Sequence, residues 1–115
     1  MKHKTAQLEG ALLDAAVARA LGAGYALDRG SNPPRAMRID STSGMYFPFM
    51  PSSKWGEGGP LIERERITII WARENGWLGR CNSHWQVPEE LGPTPLIAAM
   101  RAYIASRFGE EVELP

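Results

Sequence analysis

The fold is decided by the stretch Ile67-Thr68-Ile69-Ile70-Trp71-Ala72-Arg73-Glu74-Asn75-Gly76-Trp77-Leu78-Gly79-Arg80-Cys81. Its first five residues are almost all β-branched or aromatic, which favours a strand. Asn75-Gly76 favours a turn between antiparallel strands. We therefore predict a β-hairpin with strands Ile67–Trp71 and Trp77–Cys81. We expect the second strand to be extended by His84, Trp85 and Val87, and a short third strand to be formed by Arg38-Ile39-Asp40.

A helix is predicted on the C-terminal side of the hairpin, over Thr94–Phe108. Thr94 is suited to the N-cap, and the proline that follows it suits the first helical position. Large apolar side chains then recur at spacings of three and four, so one face of the helix is expected to be buried. The residues expected to point inward are Ile97, Met100, Tyr103 and Ile104.

A second helix is predicted on the N-terminal side, over Gln7–Leu21. Thr5 is its expected N-cap, and Gly22 or Gly24 its expected C-terminal stop. Its apolar face is rich in alanine, so a neighbouring element can approach closely. Two helices beside a short antiparallel hairpin sheet predict a small α+β fold, and residues 1–115 are expected to form a single domain.

Composition narrows the classes of protein to consider. Hydrophobic residues make up 43% of the 115 residues and charged residues 23%, as in ordinary globular proteins. Lys plus Arg equals Asp plus Glu, 13 each, so we expect no strong nucleic-acid binding. Cys81 is the only cysteine, which excludes an intramolecular disulfide and suits a reducing cytoplasm. Charges interrupt the N-terminal apolar pattern, and no apolar run reaches the roughly 20 residues of a membrane span, so we expect a cytoplasmic protein without membrane attachment.

The candidate binding site is the stretch from Trp55 to Glu65. Its glycines and proline predict a shaped loop, and loops with an aromatic anchor often carry function. The alternative is that Trp55 fills the core while the glycines only permit the turn. No phosphate-binding loop is predicted, because the required Gly-Lys-Ser/Thr ending is missing. The candidate binding residues are Trp55, Gly58, Gly59, Pro60, Glu63, Arg64 and Glu65.

Other groups that could carry chemistry also have simpler structural readings. Glu63 and Glu65 would share one face if they continued into the strand, either for acid–base work or as a salt-bridged strand entrance. Cys81 and His84 could pair as nucleophile and base, but they are too few to hold zinc. Bases could stack on Trp71, Trp77 and Trp85, although core packing is the simpler role for all three. We predict no metal and no cofactor.

The segment between the first helix and the candidate site, 28–53, is rich in Ser, Pro, Gly and Asn. It also carries large apolar side chains, so it is expected to be irregular but packed. Those side chains are Met45, Tyr46, Phe47, Phe49 and Met50.

Three blocks of the chain resemble the NinX-like proteins of tailed bacteriophages and prophages. They are Leu8-x-Gly10-x-x-Leu13-Asp14-x-x-Val17-Ala18-x-Ala20; Pro51-Ser52-Ser53-x-Trp55-x-x-Gly58-Gly59-Pro60-Leu61-Ile62-Glu63-Arg64-Glu65; and Gly92-Pro93-Thr94-Pro95-Leu96-Ile97-Ala98-Ala99-Met100-Arg101 with Ser106 and Gly109. The chain departs from the pattern at Ala15 and Ala16, in place of an aromatic pair, and at Lys54, in place of an acid. The resemblance implies phage origin and the host cytoplasm, and it transfers no catalytic residue.

Three functions stay open at this point. The first is a non-enzymatic accessory protein that binds a host or phage protein. The second is a small enzyme or ligand-binding protein that uses the stretch from Trp55 to Glu65, which a pocket behind Trp55 holding a carboxylate of raised pKa would favour. The third is a nucleic-acid accessory factor, which a contiguous basic stripe would favour.

Overall fold

The arrangement of the chain comes from a computed structural model, which describes residues 1–83 and 87–114. Within these ranges there are three α-helices: α1 (Gly10–Ala20), α2 (Trp55–Arg64) and α3 (Pro95–Phe108). The strands are β1 (Lys2–Lys4), β2 (Gly24–Asp28), β3 (Arg35–Ile39), β4 (Tyr46–Pro48), β5 (Ile67–Trp71), β6 (Trp77–Cys81), β7 (Glu89–Gly92) and β8 (Glu111–Glu113). They form three small antiparallel sheets, so the predicted α+β class is confirmed. The structure adds one helix and two sheets to the prediction.

The predicted hairpin is confirmed as β5 and β6. Ile67 lies opposite Cys81 and Trp71 lies opposite Trp77. The connection is longer than a two-residue turn, because a short 3₁₀ turn at Arg73–Asn75 precedes Gly76, whose φ is +84°. A five-residue connection of this kind needs a residue that tolerates positive φ, and glycine does so at no steric cost.

The prediction of a strand at Arg38-Ile39-Asp40 is confirmed for Arg38 and Ile39, which lie in β3, but the third strand of the hairpin sheet is β7. Val87 precedes β7 and lies in no strand, contrary to expectation. His84 and Trp85 fall outside the described residues. The segment that was expected to be irregular forms β3 and β4 instead, which pair with β2 in a separate sheet of order β2-β3-β4. Strand pairing satisfies the backbone there, which the Ser, Pro and Gly content of the segment did not indicate.

The expectation that this segment buries its large side chains is also wrong for most of them. Met45, Tyr46 and Phe47 are 58%, 56% and 50% exposed, while Phe49 is buried. In the part of the chain that the structure describes, β4 is an edge strand that packs chiefly against β3, so little else covers the faces on which its aromatic side chains lie.

Helix α3 follows the prediction closely. Thr94 is its N-cap, and the Oγ1 atom of Thr94 accepts a hydrogen bond from the backbone N–H of Ile97 at 3.1 Å. Met100, Tyr103 and Ile104 are fully buried, as expected. Ile97 is only half-buried, because it lies in the first turn at the edge of the core.

The hairpin sheet packs closely against α3. A Cβ atom added at Gly92 would lie 2.8 Å from the Cα atom of Ala98, so the glycine permits the contact between β7 and α3.

Helix α1 is shorter than predicted at its N-terminus. It begins at Gly10 after Glu9, which makes no side-chain cap, so the prediction of Thr5 as N-cap is wrong. The hydroxyl of Thr5 donates instead to the carbonyl oxygen of Gly109, at 2.7 Å. The C-terminal prediction is confirmed at Gly22, whose φ is +74°.

The two ends of the chain meet in the third sheet, formed by β1 and β8. Lys2 lies opposite Glu113 and Lys4 opposite Glu111, so opposite charges face each other across the strands. The core lies between α1, α3 and the hairpin sheet. Arg101 crosses it, donating to the carbonyl oxygens of Leu8 at 2.7 Å and Leu91 at 2.9 Å.

Candidate functional site

The stretch that was expected to form a shaped loop is helical, so that prediction is wrong. Helix α2 runs from Trp55 to Arg64 and contains Pro60. Proline normally disfavours helical backbone in the preceding residue, because its ring clashes with the Cβ of that residue. The preceding residue here is Gly59, which has no Cβ. Pro60 cannot donate to the carbonyl of Gly56, but both residues are exposed, so water can reach that carbonyl.

One face of α2 packs against the rest of the protein, and it contains Gly58, Leu61 and Glu65. Gly58 is buried, and a Cβ atom placed on it would overlap the carbonyl oxygen of Pro51 and lie 2.8 Å from Cδ2 of Leu96. Glycine at this position therefore allows α2 to pack directly against the segment that precedes it and against α3.

Glu65, which immediately follows α2, is 5% exposed and lies at the centre of a polar network. Its carboxylate accepts hydrogen bonds from Arg64 at 2.9 Å, Ser83 at 2.9 Å and Arg107 at 3.1 Å. Burial alone would raise the pKa of Glu65. The hydrogen bonds from Arg64 and Ser83, together with the charge of Arg107, outweigh burial and lower that pKa. Glu65 is thus an ionised carboxylate that joins the end of α2 to α3.

The opposite face of α2 is open, and we call it the Trp55 face: Trp55, Gly56, Gly59, Pro60 and Glu63. Trp55 is 56% exposed, so the reading in which it fills the core is wrong. A Cβ atom at Gly56 or at Gly59 would meet nothing within 4 Å. The helix surface beside the indole is therefore formed by bare backbone.

The structure divides the predicted site residues between these two faces of α2. Trp55, Gly59, Pro60 and Glu63 lie together on the Trp55 face. Gly58 and Glu65 lie on the packed face, and the exposed Arg64 reaches back to Glu65. Glu63 and Glu65 do not form a carboxylate pair, because two residues separated by one position lie about 200° apart around a helix.

The other candidate residues from the sequence differ in how deeply they are buried. Trp71 is 65% exposed, so the prediction that it packs in the core is wrong, whereas Trp77 is half-buried. Cys81 is completely buried, and its Sγ atom lies 3.3 Å from the hydroxyl of Ser83. Its predicted partner His84 falls outside the described residues, as does Trp85.

A cavity that the sequence did not indicate lies between α1 and the segment that leads into α2. Its volume is about 440 Å³, and Asp14 of α1 forms part of its wall. The side chain of Asp14 is buried, and its Oδ1 atom accepts a hydrogen bond from the backbone N–H of Ser52 at 2.8 Å. Burial raises the pKa of Asp14 to about 6; hydrogen bonds from Ser52 partly oppose this rise, and the charge of Glu57 adds to it.

Asp14 was not among the site residues predicted from the sequence. A signal was nevertheless present, because Asp14 is the only charged residue between Gly10 and Ala18. A lone carboxylate in a run of small and apolar residues is either at the edge of a helix or enclosed. Trp55 does not line the cavity, so the carboxylate of raised pKa lies outside the predicted site.

Two further observations concern metal binding and membrane-spanning helices. Across residues 1–83 and 87–114, no three His, Cys, Asp or Glu side chains are grouped closely enough to hold a metal ion. In the same ranges, no helix has the length and apolar character needed to cross a membrane.

Comparison with known families matches residues 4–107 to the family described as Bacteriophage P22, NinX. The comparison with curated proteins finds no match. Since the family match covers nearly the whole chain, the chain belongs to the NinX family of bacteriophage proteins.

Proposed function

We propose that this NinX-family protein is a non-enzymatic binding module whose Trp55 face contacts a protein partner of the phage or its host. The observation that carries the proposal is the exposure of Trp55 on a helix face that otherwise presents glycine backbone, the ring of Pro60 and the side chain of Glu63. Tryptophan is the residue type most enriched at the energetic centres of interfaces. Leaving its indole in water forgoes the free energy that burial would provide.

The glycines explain what kind of contact the face can make. Alanine would favour a helix more than glycine does by roughly 0.5–1 kcal/mol per position. Gly56 has ample space for a methyl group, so packing within this chain does not require glycine there. A surface helix without side chains allows a partner backbone to approach closely, with the indole of Trp55 at its edge.

The Trp55 face carries a negative charge, which favours a protein partner over nucleic acid. Glu63 lies on the Trp55 face, and Glu57 lies elsewhere on the same helix. Carboxylates on this helix would repel phosphate groups, and the whole chain carries no net positive charge to offset that repulsion.

The test begins with affinity capture from phage-infected host cells, followed by identification of the bound protein by mass spectrometry. The dissociation constant of that protein is then measured for the wild type, Trp55→Ala and Trp71→Ala. Trp71 is the matched control, because it is an even more exposed tryptophan that lies on β5. Removing a central interface tryptophan costs about 2 kcal/mol or more, so Trp55→Ala should weaken binding at least about 30-fold.

The proposal predicts different binding results for the Trp55→Ala and Trp71→Ala variants. Binding by Trp71→Ala should stay within about twofold of the wild type, and the circular dichroism and melting temperature of both variants should match it. If Trp55→Ala binds as well as the wild type, or if both variants lose binding equally, the Trp55 face is not the interface.

A further inference from the structure

The cavity beside Asp14 has the composition of a ligand site. Its polar wall includes Asp14, Ser52, Ser53 and Asn32, and its apolar wall includes Pro33, Pro34, Met50 and Ile97. About 440 Å³ of space is comparable to pockets that hold small organic molecules. A few convergent polar groups in a largely apolar wall are typical of such pockets.

The carboxylate at this cavity lacks a countercharge from the protein. None of the ion pairs among the described residues includes Asp14. The cation that shares the cavity wall is Arg35, and its guanidinium is already paired with Asp28 at 3.2 Å. The other charged group that acts on Asp14 is Glu57 of α2, which is also negative.

We propose that this cavity binds an alkylammonium group, with the carboxylate of Asp14 as its counter-ion and the apolar wall around its carbon chain. An ammonium ion supplies the positive charge that Asp14 lacks, and its three N–H donors suit a carboxylate and neighbouring hydroxyls. An anion would be repelled by Asp14 and Glu57. A metal ion would find too few carboxylates in the cavity wall.

The alkylammonium group has two possible sources, a free small amine or a lysine side chain of another protein. The site is distinct from the Trp55 face, so the proposal does not depend on the proposed function. Both sources share the chemistry that Asp14 recognises, and two probes distinguish them. The first probe is n-butylamine, and the second is the blocked amino acid N-acetyl-lysine methylamide.

The experiment titrates each probe into the ¹⁵N-labelled protein at pH 7.5 and follows backbone amide shifts by NMR. Saturable shifts are expected at Ser52, whose N–H donates to Asp14, and at Ala11 in the cavity wall. The neutral probe n-butanol should bind at least about tenfold more weakly, since it cannot form the ion pair. Tighter binding of the lysine derivative would identify a protein lysine as the source, and tighter binding of butylamine a free amine.

Two variants test whether amine binding depends on the ion pair with Asp14 or only on the overall negative charge near the cavity. Asp14→Asn keeps the shape of the side chain and removes its charge, so it should weaken butylamine binding at least about tenfold. Glu9→Gln is the matched control, because it removes one exposed negative charge next to the start of α1 without altering the cavity wall. Binding to Glu9→Gln should equal that of the wild type.

The pH dependence of butylamine binding tests the ion pair with Asp14 in the wild-type protein. With a pKa of about 6 for Asp14, roughly nine-tenths of this side chain is protonated at pH 5, so the apparent affinity should fall about tenfold from pH 7.5. Absence of saturable shifts for both amines overturns the proposal. So does equal binding of butylamine and n-butanol, undiminished binding to Asp14→Asn, or an affinity that is the same at both pH values.

Discussion

Two substitutions of the same kind, two residues apart on α2, test whether its faces have the separate roles assigned to them. Gly58→Ala adds a methyl group to the packed face, where it would overlap the carbonyl oxygen of Pro51 and lie 2.8 Å from Cδ2 of Leu96. Gly56→Ala adds the same methyl group to the Trp55 face, where nothing lies within 4 Å.

The expected effects on stability have opposite signs. Both substitutions gain helix propensity, roughly 0.5–1 kcal/mol in a helix interior and less near the first turn. At Gly58 the new methyl group meets backbone that cannot rotate away, and overpacking of this kind costs about 1–3 kcal/mol. Gly58→Ala should therefore lower the free energy of unfolding by about 1–2 kcal/mol, and Gly56→Ala should raise it by up to about 0.5–1 kcal/mol.

Urea unfolding followed by tryptophan fluorescence measures both changes, and thermal unfolding provides a check. For a chain of 115 residues, 1 kcal/mol corresponds to a melting-temperature shift of about 4 °C. The two variants should therefore melt roughly 4–12 °C apart. Equal stability of the two variants would show that α2 does not pack through Gly58, and a loss of stability in Gly56→Ala would show that the Trp55 face is not open.

The same pair also tests the proposed function. If a partner backbone lies against the Trp55 face, the methyl group of Gly56→Ala should weaken partner binding although the protein is more stable. A more stable variant with undiminished binding would mean that the partner does not approach the helix at Gly56. Loss of function with a gain in stability is expected where an exposed glycine serves a contact instead of the fold.

Four further predictions follow from the geometry. Glu65→Ala should lower the free energy of unfolding by about 1–3 kcal/mol in urea titrations, since it removes a buried acceptor of three hydrogen bonds, whereas Glu63→Ala should leave it unchanged. Ile104→Ala should cost about 2–5 kcal/mol in the same assay, because the side chain is fully buried. Because the pKa of Asp14 is raised to about 6, wild-type stability should fall by up to ~3 kcal/mol relative to Asp14→Asn as the pH rises from about 4 to 6, and urea titrations at several pH values would detect this. Duplex DNA should bind no more tightly than micromolar at physiological salt in fluorescence anisotropy, because the formal net charge is zero.

The elements that could be predicted from the sequence are those with strong local signals. The hairpin has β-branched residues and an Asn-Gly turn, and α3 has Thr94-Pro95 with a regular apolar spacing. Local propensity and burial agree in these two elements, which is the condition for a reliable prediction. The third strand, β7, has the sequence Glu-Glu-Leu-Gly, which shows no strand pattern. Its place in the sheet depends on pairing with β6, and the sequence does not encode that pairing locally.

Helix α2 shows why composition alone misled the interpretation of the candidate site. Three glycines and a proline in ten residues are typical of a loop, and their individual propensities all disfavour a helix. Tertiary contacts reverse that preference. Gly58 allows close packing, Gly59 accommodates Pro60, and Leu61 anchors the helix in the core. The exposure of Trp55 and Trp71 was equally hidden, because the identity of a large aromatic residue does not reveal which side of an element it occupies.

Because α2 has a packed face and an exposed face, substitutions at the candidate site must be chosen by face if effects on folding are to be distinguished from effects on binding. Substituting Glu63 and Glu65 together would mix the two effects, since Glu65 links α2 to Arg107 of α3 while Glu63 faces solvent. The informative comparison is between the faces. A change confined to the packed face should lower stability and leave the folded fraction able to bind, whereas a change confined to the Trp55 face should weaken binding without lowering stability. If changes on the Trp55 face also alter only stability, the stretch from Trp55 to Glu65 serves the fold on both sides, and the partner-binding surface must lie elsewhere on the protein.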